Sequence, residues 1–195
     1  MHGLLDVLDS RSFSSLWYWL LLTVTWTWVG RGALGIPSDL VRAVHRRAVE
    51  GAGHAPAPDP LLLLDWVSLV TPRWQVSDRD GAVLTAVAAF VVSALAWLGF
   101  AYGRELAQAM VLLVAPLLVL VVLRIRLATR LRATLAEAEA GRITPDLAAA
   151  DMARQITRHM RLTMALSMLA VGGAALWGTA WLATHPLGIR AAAAP

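Results

Sequence analysis

Five histidines are the side chains of this 195-residue chain that are best suited to hold a metal ion or to transfer a proton. A zinc site needs several ligands at short, regular spacings, such as two histidines one helical turn apart. No two of these histidines lie that close, and they fall in different segments, at His2, His45, His54, His159 and His185. The sequence therefore predicts no metal site.

Cysteine is absent, which excludes disulfides, thiolate nucleophiles and cysteine-held iron–sulfur clusters. The sequence also has no phosphate-binding P-loop, no G-x-S-x-G nucleophile motif and no glycine pattern of a dinucleotide-binding fold. Transporters coupled to protons or ions normally carry an ionisable residue inside a membrane span, and the spans predicted below contain none. We therefore expect no enzymatic activity, no catalytic residue and no bound cofactor.

All 17 basic side chains counted as Lys or Arg are arginines, against 13 acidic side chains, and the formal net charge is +4. Such a surplus attracts nucleic acid, anionic lipid or an acidic protein. Most of these arginines lie close to the ends of predicted membrane spans, which favours topology and lipid contact over nucleic-acid binding. Four lie beyond the membrane boundary, and we expect them to contact an acidic partner or anionic lipid: Arg130, Arg132, Arg154 and Arg158.

The elements that carry these side chains are predominantly apolar. Hydrophobic residues make up 58% of the chain and charged residues 15%, and the mean hydropathy is +0.61, which is not the composition of a soluble domain. About 20 apolar helical residues cross the hydrocarbon core of a bilayer. Four uncharged segments suit such a crossing, at 13–29, 82–102, 106–123 and 162–183. The sequence predicts an all-α, polytopic membrane protein with a single membrane domain over 1–195.

The distribution of arginine predicts the orientation of these spans. With four spans, the two termini and the turn at 103–105 lie on one side of the membrane and carry 3 arginines. The connections 30–81 and 124–161 lie on the other side and carry 14. Cytoplasmic loops retain positive charge. Both connections are therefore predicted to be cytoplasmic and both termini periplasmic.

The first of these connections, 30–81, is predicted to contain two short helices. Residues 39–50 have the pattern of a basic amphipathic helix, and 61–70 are apolar but too short to span. We expect both helices to lie on the inner membrane surface, with Trp66 and Trp74 as anchors. Residues 51–60 between them are a linker of small residues and prolines.

The second connection, 124–161, is predicted to be a cytoplasmic helical hairpin. The helical pattern that leaves the third span ends at Gly141, and Thr144-Pro145-Asp146 is typical of the start of a helix. Each arm carries an apolar stripe, and we expect these stripes to pack against each other.

Small residues four apart on the spans predict close helix packing, since they let helix backbones approach each other. Gly99 with Gly103 forms one such pair, and Ala174 with Gly178 forms another. We expect self-association through these faces. Pro116 lies in the middle of the third span, where its missing N–H permits a kink.

Three segments lie at the predicted spans and their junctions: DSRSFSSLWYW at 9–19, LGIPSD at 34–39 and GFAYGRELAQA at 99–109. In these segments the chain resembles a family of small alphaproteobacterial membrane proteins often labelled "component of SufBCD complex". The resemblance covers roughly the first two-thirds of the chain. The Suf machinery of that label is a soluble iron–sulfur scaffold with an ATPase. The resemblance implies a bacterial inner-membrane protein. For a chain without Cys or a phosphate loop, the one role that the label leaves is a membrane attachment point for that machinery.

Two classes of function fit these observations. The first is a non-enzymatic accessory or scaffold protein, a subunit of a homo- or hetero-oligomeric membrane complex. The alternative is a homo-oligomeric ion channel whose pore is shared between subunits. A pore needs a polar face, and only the first span offers one, with Thr23 and Thr27 one turn apart. This favours the scaffold, whose expected partners are the lipid bilayer, further copies of the chain or another membrane protein, and an acidic cytoplasmic protein, but no nucleic acid.

Overall fold

The computed structural model of the chain describes residues 12–13, 15–30, 32–50 and 60–184. These residues form six α-helices: α1 (Leu16–Val29), α2 (Ser38–Glu50), α3 (Pro60–Val70), α4 (Asp78–Ala96), α5 (Glu105–Glu139) and α6 (Pro145–Thr184). A 3₁₀ turn, Thr71–Trp74, follows α3, and a π-helix, Trp97–Ala101, continues α4. The described residues contain no β-strand, and their only bridge joins Ala33 to Ile36. Residues 51–59 of the predicted linker and both chain termini lie outside this description.

Three helices are long and apolar enough to cross a membrane: the continuous segment Asp78–Ala101, α5 and α6. They coincide with the spans predicted at 82–102, 106–123 and 162–183. No side chain of α4 is buried, as expected for a helix that faces lipid. The chain is an all-helical, multi-pass membrane protein.

The helix α1 is shorter than the span predicted at 13–29. It begins at Leu16, and its 14 residues extend about 21 Å at 1.5 Å per residue, which is less than the hydrocarbon core of about 30 Å. The backbone of Phe13 is engaged elsewhere: its N–H donates to a carboxylate oxygen of Glu105, and its carbonyl accepts from the indole of Trp19 at 3.0 Å. A fourth span thus stays a prediction.

Polar and glycine residues set the ends of the long helices. The Ser77 hydroxyl accepts a hydrogen bond from the backbone N–H of Asp80 at 3.1 Å and donates to its carboxylate at 2.7 Å, which caps α4. The chain turns after α5 at Gly141, whose φ of +67° favours glycine, and α6 begins at Pro145 as the sequence predicts.

Contacts within the chain define two compact units, where the sequence predicted a single domain. The first unit comprises Met1–Trp28, Ala82–Leu118 and Leu166–Pro195, and the second comprises Val29–Gly81 and Val119–Ala165. Most of the predicted spans belong to the first unit, and most of the two predicted cytoplasmic connections to the second. Both α5 and α6 contribute residues to each unit.

The second unit has its own apolar core, to which α2, α3, α5 and α6 all contribute. The buried side chains include Leu40, Val41 and Val44 of α2, Leu63, Val67 and Val70 of α3, Leu127 and Leu131 of α5, and Met152 and Ile156 of α6. Protein therefore covers these faces of α2 and α3. That the two helices lie on the inner membrane surface stays a prediction. Helical periodicity identifies an apolar face but does not say what lies against it. A second face of α3 stays apolar and exposed, at Leu62, Trp66 and Leu69.

Candidate functional site

The residues predicted to contact a partner stand on the parts of α5 and α6 that belong to the second unit. The apolar stripes of these segments are buried, with Leu131, Met152 and Ile156 each 0% exposed. The side-chain amide of Gln155 on α6 donates to the hydroxyl of Thr134 on α5 at 3.2 Å, which joins the two helices. Since the apolar stripes are used inside the unit, the charged side chains remain at its surface.

On α5, Arg130 and Arg132 differ in their surroundings. Arg130 is exposed, whereas Arg132 is half-buried along its own helix. The Arg132 guanidinium group donates to the Ala128 carbonyl at 3.4 Å and to the Thr129 hydroxyl at 3.3 Å. Two residues apart on a helix, Arg130 and Arg132 point to different sides. Arg130 is therefore the more available of the two for a partner.

On α6, Arg154 and Arg158 lie one turn apart and share a face, and both are exposed. Arg154 forms an ion pair with Asp151 at 3.2 Å. Arg154 is exposed and Asp151 is half-buried, so solvent screens the pair and it contributes little to stability. No ion pair joins Arg158 to another described residue. The structure thus places three of the four predicted arginines at the surface, Arg130, Arg154 and Arg158.

A buried histidine lies in the same unit. His159 is 6% exposed, and its Nε2 atom is 3.5 Å from the hydroxyl oxygen of Thr163. Burial lowers the pKa of His159, and the positive charge of Arg124 lowers it further. Both effects favour the neutral imidazole. Among the described residues, no three His, Cys, Asp or Glu side chains come together as a group able to hold a metal ion.

In the first unit, Gln108 is a buried residue that belongs to none of the predicted sites. It is 1% exposed, and its amide nitrogen donates to the Gly99 carbonyl at 2.9 Å. Its amide oxygen accepts from the indole of Trp177 on α6, also at 2.9 Å. One side chain therefore connects the π-helix, α5 and α6. The signal was present, because Gln108 is the single polar residue of the predicted span 106–123.

The small residues predicted to pack helices make their contacts inside one chain. A Cβ atom on Gly99 would lie 2.8 Å from the backbone nitrogen of Gln108, and one on Gly178 would lie 3.1 Å from the ring of Phe13. Ala174 is fully buried. The faces of Gly99 and Gly178 are consequently occupied by the chain itself, which leaves the predicted self-association without these contacts.

Two further predicted positions have a local role. Gly103 joins the π-helix to α5 with a φ of +66°, and a Cβ atom there would meet only the far end of Trp181, at 3.9 Å. Its conformation suits glycine because other residues rarely adopt it. Pro116 lies inside α5, which continues on both sides of it. Since proline offers no N–H to the carbonyl of Leu112, a kink at this turn stays a prediction.

Comparison with known proteins adds no relative to this description. No family model matches the chain, and no curated protein or solved structure shows a significant match to it.

Proposed function

We propose that this chain is a non-enzymatic accessory or scaffold protein of the bacterial inner membrane, and a subunit of a homo- or hetero-oligomeric membrane complex. The second unit is its cytoplasmic docking domain. The exposed side chains of Arg130, Arg154 and Arg158 contact an acidic protein surface. Partners of this kind, together with the bilayer and a neighbouring membrane protein, account for the charge and the apolar surface of the chain.

The observation that supports this proposal is that α5 and α6 bury one set of side chains in the second unit and expose another. Their apolar stripes are buried in the core, and three arginines remain exposed on the same segments. Exposed arginines on an isolated domain contribute little to its own stability. Their planar, permanently charged groups suit bidentate contacts with carboxylates of another molecule.

The orientation in the proposal follows from the count of 14 arginines on the side of the two connections against 3 on the other. Both termini are then periplasmic. The resemblance to the family labelled as a component of the SufBCD complex fits a membrane attachment point for a soluble partner. An accessory role is also compatible with a chain that carries no recognised catalytic motif.

The ion channel is the weaker candidate. The predicted third span has one polar side chain, Gln108, and both ends of its amide are already bonded within the chain. Thr23 and Thr27 are exposed on α1, but α1 is too short to line a pore across the hydrocarbon core.

The test is to replace Arg130 and Arg158 together with Gln in the full-length protein. Neither side chain bonds another described residue, so we expect unchanged membrane insertion and stability. Cross-linking in membranes, followed by purification in mild detergent, should show about a tenfold or greater loss of the partner protein, since each charged contact contributes about 1.5–3 kcal/mol. Binding of the partner to the unchanged chain should weaken as salt is raised.

A matched control removes two exposed arginines of the same unit, with Arg46→Gln and Arg142→Gln. The control should recover the partner as the unchanged chain does. If both double variants recover as much partner as the unchanged chain, or if binding of the partner is insensitive to salt, the arginines serve only membrane topology.

A further inference from the structure

The second unit contains a cleft of about 390 Å³ that the proposed docking residues do not use. It is lined by the turn around residues 32–35, by the 3₁₀ turn after α3 and by α5, through Gly32, Leu34, Gly35, Arg73, Trp74 and Arg124. Two of these six residues are arginines and none is acidic. The cleft is therefore positively charged.

Arg124 is held in the cleft by the fold. Its guanidinium group donates to the carbonyl of Val29 at 3.1 Å and lies 5.7 Å from the centre of the Trp74 ring. The Nε atom of Arg124 is buried and has no hydrogen-bond partner in the described part of the chain. The indole ring fixes the plane of the guanidinium group by a cation–π contact. A cation that is positioned but incompletely bonded suits an incoming anion.

Arg73 supplies the second charge. Its side chain is exposed, and no carboxylate of the described residues forms an ion pair with Arg73 or Arg124. Leu34 and Gly35, which also line the cleft, both adopt left-handed backbone conformations, with φ of +59° and +89°. A Cβ atom on Gly35 would meet nothing within 4 Å, so this side of the cleft is open.

The position of the cleft along the chain indicates its depth in the membrane. Arg124 is the first charged residue after the apolar run 106–123, where headgroups meet the hydrocarbon core. The 3₁₀ turn that carries Arg73 and Trp74 follows α3, whose free face exposes Leu62 and Trp66. Exposed Leu and Trp on a short helix are typical of contact with the membrane interface.

We propose that this cleft binds a phosphate group, supplied by the headgroup of an anionic phospholipid in the membrane leaflet on that side. Arginine pairs bind phosphate oxygens through several charge-assisted hydrogen bonds, and basic pockets between membrane helices bind anionic headgroups. Arg124 supplies the fixed contact and Arg73 closes over the ligand. The site is distinct from Arg130, Arg154 and Arg158, so its test is separate from the test of partner docking.

The experiment uses the full-length protein in mild detergent and measures bound lipid by native mass spectrometry. Phosphatidylglycerol, phosphatidylcholine and inorganic phosphate are the three probes. We expect phosphatidylglycerol to bind more tightly than phosphatidylcholine and inorganic phosphate at millimolar concentration to leave it bound. Displacement of the lipid by inorganic phosphate would support the phosphate site and identify a soluble phosphate as its source.

Arg73→Gln is the informative variant, because the exposed Arg73 side chain supports no contact of the fold. It should weaken the binding of phosphatidylglycerol about tenfold, which is the effect of losing one charged hydrogen bond. Arg126→Gln is the matched control, since Arg126 is exposed and lies two residues from Arg124 but outside the cleft. It should leave binding unchanged.

Arg124→Gln in addition to Arg73→Gln should abolish selective retention of the lipid. Thermal stability of each variant in detergent, measured in parallel, separates lost binding from lost folding. Equal weakening by Arg73→Gln and Arg126→Gln would show attraction to general charge and would overturn the proposal. No preference for phosphatidylglycerol, together with no binding of inorganic phosphate, would overturn it as well.

Discussion

Replacement of Gln108 by Leu tests how the first unit is held together. Gln108 is buried, and its amide group makes one hydrogen bond to the π-helix, at the Gly99 carbonyl, and one to α6, at the Trp177 indole. Leucine has a similar volume and restores the apolar character of the span. The substitution therefore removes both bonds with little change in packing.

The expected cost follows from the number of bonds and their surroundings. Hydrogen bonds between membrane helices contribute about 0.6 kcal/mol on average and at most about 1.7 kcal/mol each, while an unsatisfied buried group costs about 1–3 kcal/mol. For two bonds of 2.9 Å we expect Gln108→Leu to reduce the free energy of unfolding by about 1–3 kcal/mol. Trp177→Phe, which removes one bond and keeps a ring beside Phe100, should cost about half as much.

Equilibrium unfolding in mixed micelles of mild detergent and sodium dodecyl sulfate measures this free energy. In the double variant Gln108→Leu with Trp177→Phe, the loss of free energy should be smaller than the sum of the losses in the two single variants. Both substitutions remove the same hydrogen bond, so its loss is counted only once. Met110→Leu is a control on the same helix, since Met110 is exposed and makes no hydrogen bond. If Gln108→Leu unfolds at the same detergent composition as the unchanged chain, the amide does not connect these helices and the reasoning fails.

Three further predictions concern other positions. Gly99→Ala should destabilise the single chain by about 1–3 kcal/mol through crowding, while Gly173→Ala, where a Cβ atom meets nothing within 4 Å, should be neutral or stabilising in the same unfolding assay. His159 has a lowered pKa in the folded state, so its contribution to stability is complete above about pH 6.5 and is lost as the pH falls below that value. Because the charge of Arg124 lowers this pKa, Arg124→Gln should raise it, as measured by NMR titration of the His159 ring. Single cysteines placed at Gly3 or Ala193 should react with an impermeant reagent in intact cells, whereas single cysteines at His54 or Gly141 should not. Labelling at position 54 or 141 would contradict the orientation.

The long helices were predictable because lipid imposes a simple rule on sequence. An uncharged run of about 20 residues must be helical if it crosses a bilayer, since its backbone has no other hydrogen-bond partners there. The structure has helices long and apolar enough at three of the four predicted spans. At the predicted first span the helix begins at Leu16, and the N–H of Phe13 donates to Glu105, 92 residues away along the chain. A contact between residues so far apart leaves no trace in local hydropathy.

The second unit shows a different limit of sequence reasoning. The apolar stripes of α2, α5 and α6 were identifiable by their period, and Val41, Leu131 and Ile156 are indeed buried. The pattern alone did not distinguish a helix that lies on lipid from one that packs on protein, since both need the same apolar face. The cleft at Arg124 could not be predicted from local sequence either, because Gly35 and Trp74, which line it, lie in segments remote from Arg124 along the chain.

Charge and burial together separate two roles for the arginines of the second unit. Arg124 is positioned by Val29 and Trp74 at the end of an apolar run, so its location is fixed by the fold. Arg130 and Arg158 bond no other described residue and lie on helices whose apolar faces are already covered. Removing the fixed Arg124 should therefore alter the folded unit as well as the proposed lipid site, whereas removing the exposed arginines should alter only the proposed contact with a partner. This difference makes lipid binding and partner docking separable by mutation.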